Sequence, residues 1–365
     1  ADSPLYIRPA AVPQLLGWLW TFWRHCNPHV YRAGLEAVAR LNRDTLTLFK
    51  KLQQDGLDFE RHTAGLLLAC EREATIDQLM ADLARMQELG LGAPRRLSAA
   101  EVRDLEPALQ EGLAGGVLVA ENWHVRPESL TAAVAGRLRE QGIRLLNGLR
   151  VTGLKIERCR VRGVYAGGEF LEADQVLIAA GAEAAPLARE AGFHLPMQAG
   201  KGYSLTVQQP AVHLNRAVYL EEARIALSPF EGALRVAGTM ELSGINTRID
   251  RRRVEAIRRG ASRYLPGWDQ GAAVQVWAGM RPMLPDGLPA IGRAPGYENL
   301  YVAAGHAMLG VTLGPVTGAA VADLMTSGRS KWDLGPFDPG RFDRRVRRSN
   351  RSCTGAPAGA EGEDS

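Results

Sequence analysis

Apolar and polar residues follow two spacings along this chain of 365 residues, one typical of helices and one typical of strands. Apolar residues recur at helical spacing over residues 28–54 and 73–89, which predicts one helix in each range. Short apolar runs bounded by turn residues predict strands at 65–69, 116–120, 144–146, 151–157, 160–165, 170–171, 175–180, 205–207, 217–220, 225–227, 234–238, 274–278 and 300–304. The mixture indicates the α/β class, with α+β character.

Residues 300–327 predict a strand, a glycine-rich loop and a helix in succession. The strand at 300–304 is wholly apolar, as strands buried in a parallel sheet are. Pro315 predicts a helix start at Gly314, and Gly328 predicts its end. The free amide groups at such a helix start favour an anion or a ring that gains negative charge.

Residues 175–186 repeat this arrangement, with a buried strand, Gly181 and a helix opened by Pro186. Two such units side by side form the ligand-facing edge of a doubly wound sheet. The alternative is structural, because Gly310, Gly314 and Gly318 fall four residues apart and would let a neighbouring element pack closely on the helix.

The predicted elements divide the chain into interleaved pieces. Residues 1–115 and 193–288 are predicted to form a substrate domain built on an antiparallel sheet. Residues 116–192 and 289–330 are predicted to form a doubly wound cofactor domain. Residues 343–365 contain almost nothing to bury, so we expect a disordered tail there.

Composition and charge narrow the function classes. Hydrophobic residues make up 46% and charged residues 23%, which is typical of a globular protein with ample core. The net charge is only +4 and no basic helix is interleaved with aromatic residues, so we expect no nucleic-acid partner. The 4 cysteines are scattered without a CxxC pair, which predicts neither a zinc site nor a disulfide framework and favours the cytoplasm. Protease, esterase, nucleotide-phosphate and metal-binding motifs do not occur in the sequence.

Residues 12–24 predict a helix that is apolar on every face and carries three tryptophans. Such a helix lies either in the protein interior, the favoured alternative, or in a membrane interface, where tryptophan places its polar tip at the headgroups. The second alternative would give a peripheral protein on the inner membrane. The sequence shows neither an apolar run long enough to span a membrane nor a signal peptide.

Arg281 is the strongest candidate for a substrate-binding residue. It lies between Gly279 and Pro282, in a segment too rich in glycine and proline for a helix. The planar guanidinium group matches a carboxylate and can bind it through two parallel hydrogen bonds. The alternative is a structural ion pair with Asp286.

Several motifs together resemble one family. The runs R-P-M-L-P-D-G-L-P-A-I-G at 281–292 and A-A-G-H-A-M-L-G-V-T-L-G-P-V-T-G at 303–318 resemble the carboxy-terminal signature of FAD-dependent amine oxidoreductases of the D-amino-acid oxidase and glycine oxidase group. The similarity is greatest to the small subunits of bacterial D-amino acid dehydrogenases. It continues at S-P-L-Y-I-R-P, R-H-C-N-P, A-E-V-R-D-L-E-P and G-K-G-Y-S-L-T, which begin at residues 3, 24, 100 and 200.

The resemblance implies oxidative deamination of a D-amino acid or a small cyclic imino acid to a 2-oxo acid and ammonia. It implies FAD as cofactor and a quinone-type electron acceptor. Arg281 would bind the substrate carboxylate, and Tyr203 would give a second hydrogen bond or wall the pocket. A half-buried packing role is the alternative for Tyr203, and Lys201 beside it is expected in a turn.

The resemblance also implies which residues contact the cofactor. Val151 would contact adenine through its backbone, and Ala180 and Gly181 would form a turn on the dinucleotide side. The flavin ring would lie against the stretch after strand 300–304, where His306 is either a flavin contact or a satisfied loop residue. The residues implied there are Gly305, His306, Met308, Leu309, Gly310, Val311 and Thr312.

One family feature does not occur in these 365 residues. The family opens with a strand, a G-x-G-x-x-G turn and a helix that hold the FAD pyrophosphate. Gly90-Leu91-Gly92 comes nearest, but it follows a helical pattern and lacks the third glycine. We therefore expect this chain alone to bind FAD poorly. The alternative function is a non-catalytic remnant or a partner-binding subunit.

Overall fold

The structure is a computed structural model that describes residues 3–343. Its α-helices are α1 (Val12–His25), α2 (Pro28–Asn42), α3 (Thr45–Gln54), α4 (Glu73–Glu88), α5 (Ala99–Leu105), α6 (Pro127–Glu140), α7 (Ala184–Glu190), α8 (Arg251–Ser262) and α9 (Gly310–Ser327). Its strands are β1 (Leu5–Ile7), β2 (Arg61–His62), β3 (Leu66–Cys70), β4 (Pro94–Ser98), β5 (Gly115–Val119), β6 (His124–Val125), β7 (Val151–Glu157), β8 (Arg160–Ala166), β9 (Glu169–Glu172), β10 (Val176–Ile178), β11 (Gln198–Gln208), β12 (Ala217–Leu220), β13 (Ile225–Phe230), β14 (Ala233–Leu242), β15 (Ala273–Met283), β16 (Ala290–Arg293) and β17 (Leu300–Ala304). Apart from Asp343, the predicted disordered tail lies outside the described residues.

A large mixed sheet of 9 strands dominates the fold. Its order is β15-β11-β14-β13-β12-β3-β5-β4, with β1 paired to β14. One face of this sheet carries Tyr203, Leu205 and Val207 of β11, which are buried in the main hydrophobic core beneath α8. The opposite face is therefore the one left for a ligand.

A smaller sheet has the order β10-β17-β16, with β10 and β17 parallel and β16 antiparallel to β17. Ile178 and Val302, which are paired across the two parallel strands, belong to its core. The helix α9 follows β17 after a short loop. Together the two sheets and the helices confirm the predicted mixed α/β fold, while the predicted domain boundaries stay a prediction.

Two local predictions are wrong. The helix predicted over 28–54 is broken into α2 and α3. Asn42 and Asp44 at the break have low helix propensity, and the Asp44 carboxylate accepts a hydrogen bond from Trp332 Nε1 at 3.0 Å. The strand predicted at 144–146 is not formed, and Leu146 is 50% exposed.

The cysteines depart from the prediction at one position. Cys26 and Cys70 are free thiols, whereas Cys159 is disulfide-bonded. One of the scattered cysteines is therefore in a disulfide, although the sequence predicted no disulfide framework.

The strand β15 is longer than its sequence predicts and reaches Met283 instead of ending at Ala278. Pro282 is tolerated because β15 is the edge strand, so its missing amide need not serve a second neighbour. Arg281 consequently lies inside a regular strand, where its pairing with Gly200 of β11 fixes the direction of its side chain.

Candidate active site

Arg281 lies on the sheet face opposite the main core. Its guanidinium group covers Gly202 of β11 so closely that a Cβ atom on Gly202 would collide with it. One guanidinium nitrogen, Nη1, donates to the carbonyl oxygen of Thr239 at 3.0 Å. Glycine at 202 is therefore required for the Arg281 side chain to lie flat on the sheet.

No carboxylate in residues 3–343 pairs with Arg281. The predicted alternative partner, Asp286, binds Arg341 instead, with Nε 2.7 Å from Oδ2, so the ion-pair alternative is wrong. Burial lowers the pKa of Arg281 because the charged form loses solvation, and Tyr219 partly opposes this shift. A half-buried guanidinium group without a counter-ion is suited to bind an anionic ligand.

Tyr219 shares this face of the sheet, and sequence reasoning missed it. A row of cross-strand pairs runs across the large sheet from Tyr219 on β12 to Trp277 on β15. The paired residues in between are Ala226, Ala237 and Ser204. Directly paired residues present their side chains on the same face. A signal was present in the sequence, since Tyr219 is the one polar-tipped residue between the apolar Val218 and Leu220.

The structure contradicts the predicted role of Tyr203. Because Arg281 covers Gly202 and consecutive residues of a strand face opposite sides, Tyr203 points away from Arg281. Its side chain is 1% exposed, and its hydroxyl donates to Glu241 Oε2 at 2.7 Å. Tyr203 thus has the packing role. Lys201, predicted in a turn, is buried in β11 and pairs with Glu241 Oε1 at 2.8 Å.

The two predicted cofactor segments meet at one edge of the smaller sheet. The turn at Ala180 and Gly181 follows β10, and residues 305–309 follow β17. The carboxyl ends of parallel neighbours lie at the same edge. Val151, the first residue of β7, lies near the Gly181 turn. Its chain neighbour Arg150 has Nη2 3.6 Å from Oε2 of Glu183, two residues after Gly181. The structure therefore brings these predicted residues together.

The loop at 305–309 is attached to the strand that carries Arg281. His306 forms an isolated antiparallel bridge with Met283, and the amide of Ala307 donates to the carbonyl oxygen of Pro282 at 2.8 Å. Gly305 has φ of +84°, and a Cβ there would collide with Leu284. The loop and the Arg281 guanidinium group are thus held in fixed register.

Helix α9 begins at Gly310, four residues before the predicted start. Pro315 was expected near the first helical position but lies inside the helix. The proline removes only the hydrogen bond to the carbonyl of Val311, which belongs to the exposed first turn and can be solvated. Gly310, Val311 and Thr312 therefore supply free amide groups at the helix start, and Leu313 is the first to bond backward, to Leu309 at 2.8 Å.

The surface at this helix start fits a flavin ring. Met308, Leu309 and Val311 are 73%, 38% and 39% exposed, so apolar side chains are uncovered around the free amides. No atom lies within 4 Å of where a Cβ on Gly314 would stand, so the helix side is open for close approach. A flat apolar ring with a polar edge would cover the side chains and accept from the amides.

His306 lies beneath this surface, with Nε2 3.0 Å from the Thr317 hydroxyl oxygen on α9. Burial lowers the pKa of His306 from its ordinary 6.5 to about 4, because the charged imidazolium would lose its solvation. His306 is therefore neutral near pH 7 and bridges the loop to α9.

We expect His306 to make the fold acid-sensitive between pH 6.5 and about 4. In this range the unfolded state binds the proton more readily than the folded state. The free energy of unfolding therefore decreases by about 2–3 kcal/mol as pH is lowered, and the full stabilisation is present only above pH 6.5. Urea unfolding of wild type and His306→Gln from pH 7 to 4 measures this. Equal slopes for the two proteins would contradict the assignment.

Comparisons with known proteins agree with this geometry. The glycine oxidase from Geobacillus kaustophilus is 28% identical and superposes with a TM-score of 0.76, over 82% of this chain and 81% of that one. L-Proline dehydrogenase from P. horikoshii has the same fold at 23% identity, with a TM-score of 0.76 over 85% and 84% of the chains. L-α-Glycerophosphate oxidase from Mycoplasma pneumoniae, solved with FAD bound, shares the fold at 21% identity and a TM-score of 0.68, over 78% and 80%.

The family comparison covers most of the chain. Residues 16–324 match the family described as FAD dependent oxidoreductase, a range that contains Arg281, Tyr219 and both candidate cofactor segments. FAD is the cofactor of this family. The chain belongs to the FAD dependent oxidoreductases.

Proposed function

We propose that this protein oxidatively deaminates a D-amino acid or a small cyclic imino acid, yielding a 2-oxo acid and ammonia, and that a quinone-type acceptor takes the electrons. The observation that carries the proposal is the half-buried guanidinium group of Arg281, which has no carboxylate partner among residues 3–343 and is held in register with the 305–309 loop. A cation in this position favours an anionic substrate, and a carboxylate matches its shape. The sequence motifs shared with D-amino acid dehydrogenases support the D configuration.

The chain's own residues position the substrate. Arg281 orients the carboxylate on the sheet face, and Tyr219 offers a hydroxyl on the same face. Residues 308–312 and the turn at Gly181 would hold FAD, and the amides of Gly310, Val311 and Thr312 favour negative charge beside them. When bound, FAD supplies the electron-accepting chemistry. His306 is neutral near pH 7 and adds no positive charge beside these amides, so the favourable effect on negative charge comes from the helix start and not from His306.

The direct test is reduction of flavin by amino acids without oxygen. Purified protein is incubated with excess FAD, so that weak binding does not conceal the reaction. D-amino acids, L-amino acids, glycine and proline are then added separately while flavin absorbance is recorded. We expect bleaching by at least one D-amino acid or cyclic imino acid. Bound flavin that no amino acid bleaches would refute the proposed activity, and bleaching by L-amino acids alone would refute the configuration.

The acceptor proposal is supported by the surface of α1. Leu15 and Trp18 of α1 are buried, so the expectation of an interior helix holds for one side only. Leu16, Trp20 and Trp23 are 60%, 60% and 65% exposed and lie on one stripe. In residues 3–343 no helix combines the length and apolarity needed to cross a bilayer. We propose that this stripe lies in the inner-membrane interface from the cytoplasmic side, where a quinone is accessible.

The variant Trp20→Ser/Trp23→Ser is expected to weaken binding to phosphatidylglycerol and phosphatidylethanolamine vesicles by roughly tenfold or more, because two large side chains leave the interface. Vesicle flotation measures the bound fraction. Leu146→Ser removes an apolar side chain of 50% exposure elsewhere and serves as the control. Wild-type protein that stays in the soluble fraction would contradict membrane contact.

A further inference from the structure

A cavity of about 290 Å³ lies at strands β12 and β13 of the large sheet. Leu66, Trp123, Tyr219 and Ala226 line it together with the polar Asn122 and Ser228. At about 30 Å³ for each water molecule, the volume accommodates an aliphatic or single-ring side chain. The cavity lies in the large sheet region and is separate from the residues at 305–312.

Tyr219 connects this cavity to Arg281. It lines the cavity, and its side chain is on the face of the large sheet where the Arg281 guanidinium group lies. Its cross-strand partner Ala226 also lines the cavity. The row of cross-strand pairs from Tyr219 to Trp277 of β15 places these side chains on the face of the sheet that Arg281 occupies. A ligand anchored by Arg281 thus has the cavity on the same sheet face.

The lining determines which groups the cavity can accept. None of the described residues that line it carries a carboxylate, ammonium or guanidinium group. His124, the titratable lining residue besides Tyr219, lies with Nε2 2.8 Å from the carbonyl oxygen of Pro229, and burial lowers its pKa. A charged group entering this cavity would lose its solvation without gaining a partner, which disfavours its binding strongly.

We infer that this cavity receives the substrate side chain and selects uncharged, predominantly apolar side chains of aliphatic or single-ring size. The inference rests on the proposed function, because Arg281 anchors the other end of the substrate. Tyr219 and Ala226 are then specificity-determining residues, and Asn122 and Ser228 tolerate one polar group within an otherwise apolar side chain.

The test measures binding of unreactive carboxylates to FAD-loaded protein. Acetate, butyrate, hexanoate and 6-aminohexanoate are titrated, and dissociation constants are taken from melting-temperature shifts. In wild type we expect affinity to rise about fourfold for each methylene added between acetate and hexanoate. The 6-aminohexanoate ion, which ends in a charge, is expected to lose most of that gain.

Ala226→Phe fills the cavity from its floor, so we expect the dependence on chain length to vanish while acetate binding remains. Ala226→Val, a smaller change on the same strand, should retain part of the dependence and decides the question if the phenylalanine variant does not fold. Ala132→Phe on the exposed side of α6 is the matched control, with wild-type behaviour expected.

Each outcome separates the two ideas. If acetate binds and Ala226→Phe keeps the full chain-length dependence, the cavity assignment is overturned while the proposed activity stands. A wild type that binds hexanoate no better than acetate, or 6-aminohexanoate as well as hexanoate, also overturns it. If acetate does not bind and no amino acid reduces the flavin, the proposed function itself is at fault.

Discussion

Arg281→Lys is expected to lower kcat/KM for the amino-acid substrate about 30- to 150-fold while leaving the fold intact. Lysine keeps the charge but loses the planar fork that binds a carboxylate through two hydrogen bonds. The loss corresponds to about 2–3 kcal/mol, the range for hydrogen bonds to charged groups. Because the carboxylate is bound before and during reaction, most of the change should appear as a higher KM. Steady-state kinetics with FAD-loaded protein measures it.

Two further variants sharpen this prediction. Gly202→Ala places a methyl group where the Arg281 guanidinium group lies, so it should raise KM in the same direction without touching the arginine. Arg103→Lys changes an arginine whose side chain is 51% exposed, and it should leave both constants unchanged. Unchanged KM in Arg281→Lys at wild-type flavin content would remove Arg281 from the substrate site.

The part of the candidate site that lies within one contiguous signature is the part that a sequence motif can propose. Arg281 and residues 305–312 are close in the chain, so their motif and their contact, through Met283 and His306, arise from local structure. The turn at Gly181 was also predictable, since strand, glycine and helix recur there. Local patterns of this kind carry their own geometry.

The positions of Tyr203 and Tyr219 could not be predicted in the same way. Which face of the sheet a residue occupies depends on strand register, and a shift of one residue reverses it. Tyr203 is one position from Gly202, and this alone places it in the core instead of the site. Tyr219 reaches the site only because β12, β13, β14 and β11 stand side by side, an order set by distant pairings.

The boundaries of helices and strands also could not be predicted reliably from the sequence. Proline and glycine predicted that α9 would start at Gly314 and that a strand would end at Ala278. In the fold, Pro315 is accommodated inside α9 and Pro282 inside β15. Both are tolerated because the affected amide or carbonyl faces an edge or solvent, which depends on tertiary context and not on local sequence.

Lys201→Met is expected to have the largest effect on stability, a loss of about 3–5 kcal/mol in the free energy of unfolding. Lys201 and Glu241 are 2% and 7% exposed at their side chains and lie 2.8 Å apart, and Tyr203 donates to the same carboxylate. Burial alone would raise the pKa of Glu241, but hydrogen bonds from Lys201, Ser243 and Tyr203 lower it. Removing the lysine leaves a buried carboxylate without its cation. Chemical denaturation monitored by tryptophan fluorescence measures the loss.

The pH dependence distinguishes an unpaired charge from lost packing. The depressed pKa of Glu241 means that the pair stabilises the fold above the carboxyl's ordinary range and loses this effect as pH falls. In Lys201→Met the carboxyl can take up a proton instead, so the gap to wild type should narrow in acid. Replacing all three groups, as Lys201→Met/Tyr203→Phe/Glu241→Leu, should recover at least half of the loss, because the buried carboxylate that lost its cation is removed as well. Lys155→Met is the control, because Lys155 forms an exposed ion pair with Glu157, with Nζ 3.7 Å from Oε1. It should change the free energy of unfolding by less than about 0.5 kcal/mol. A triple variant as unstable as Lys201→Met would show that the cluster stabilises the fold through its packing.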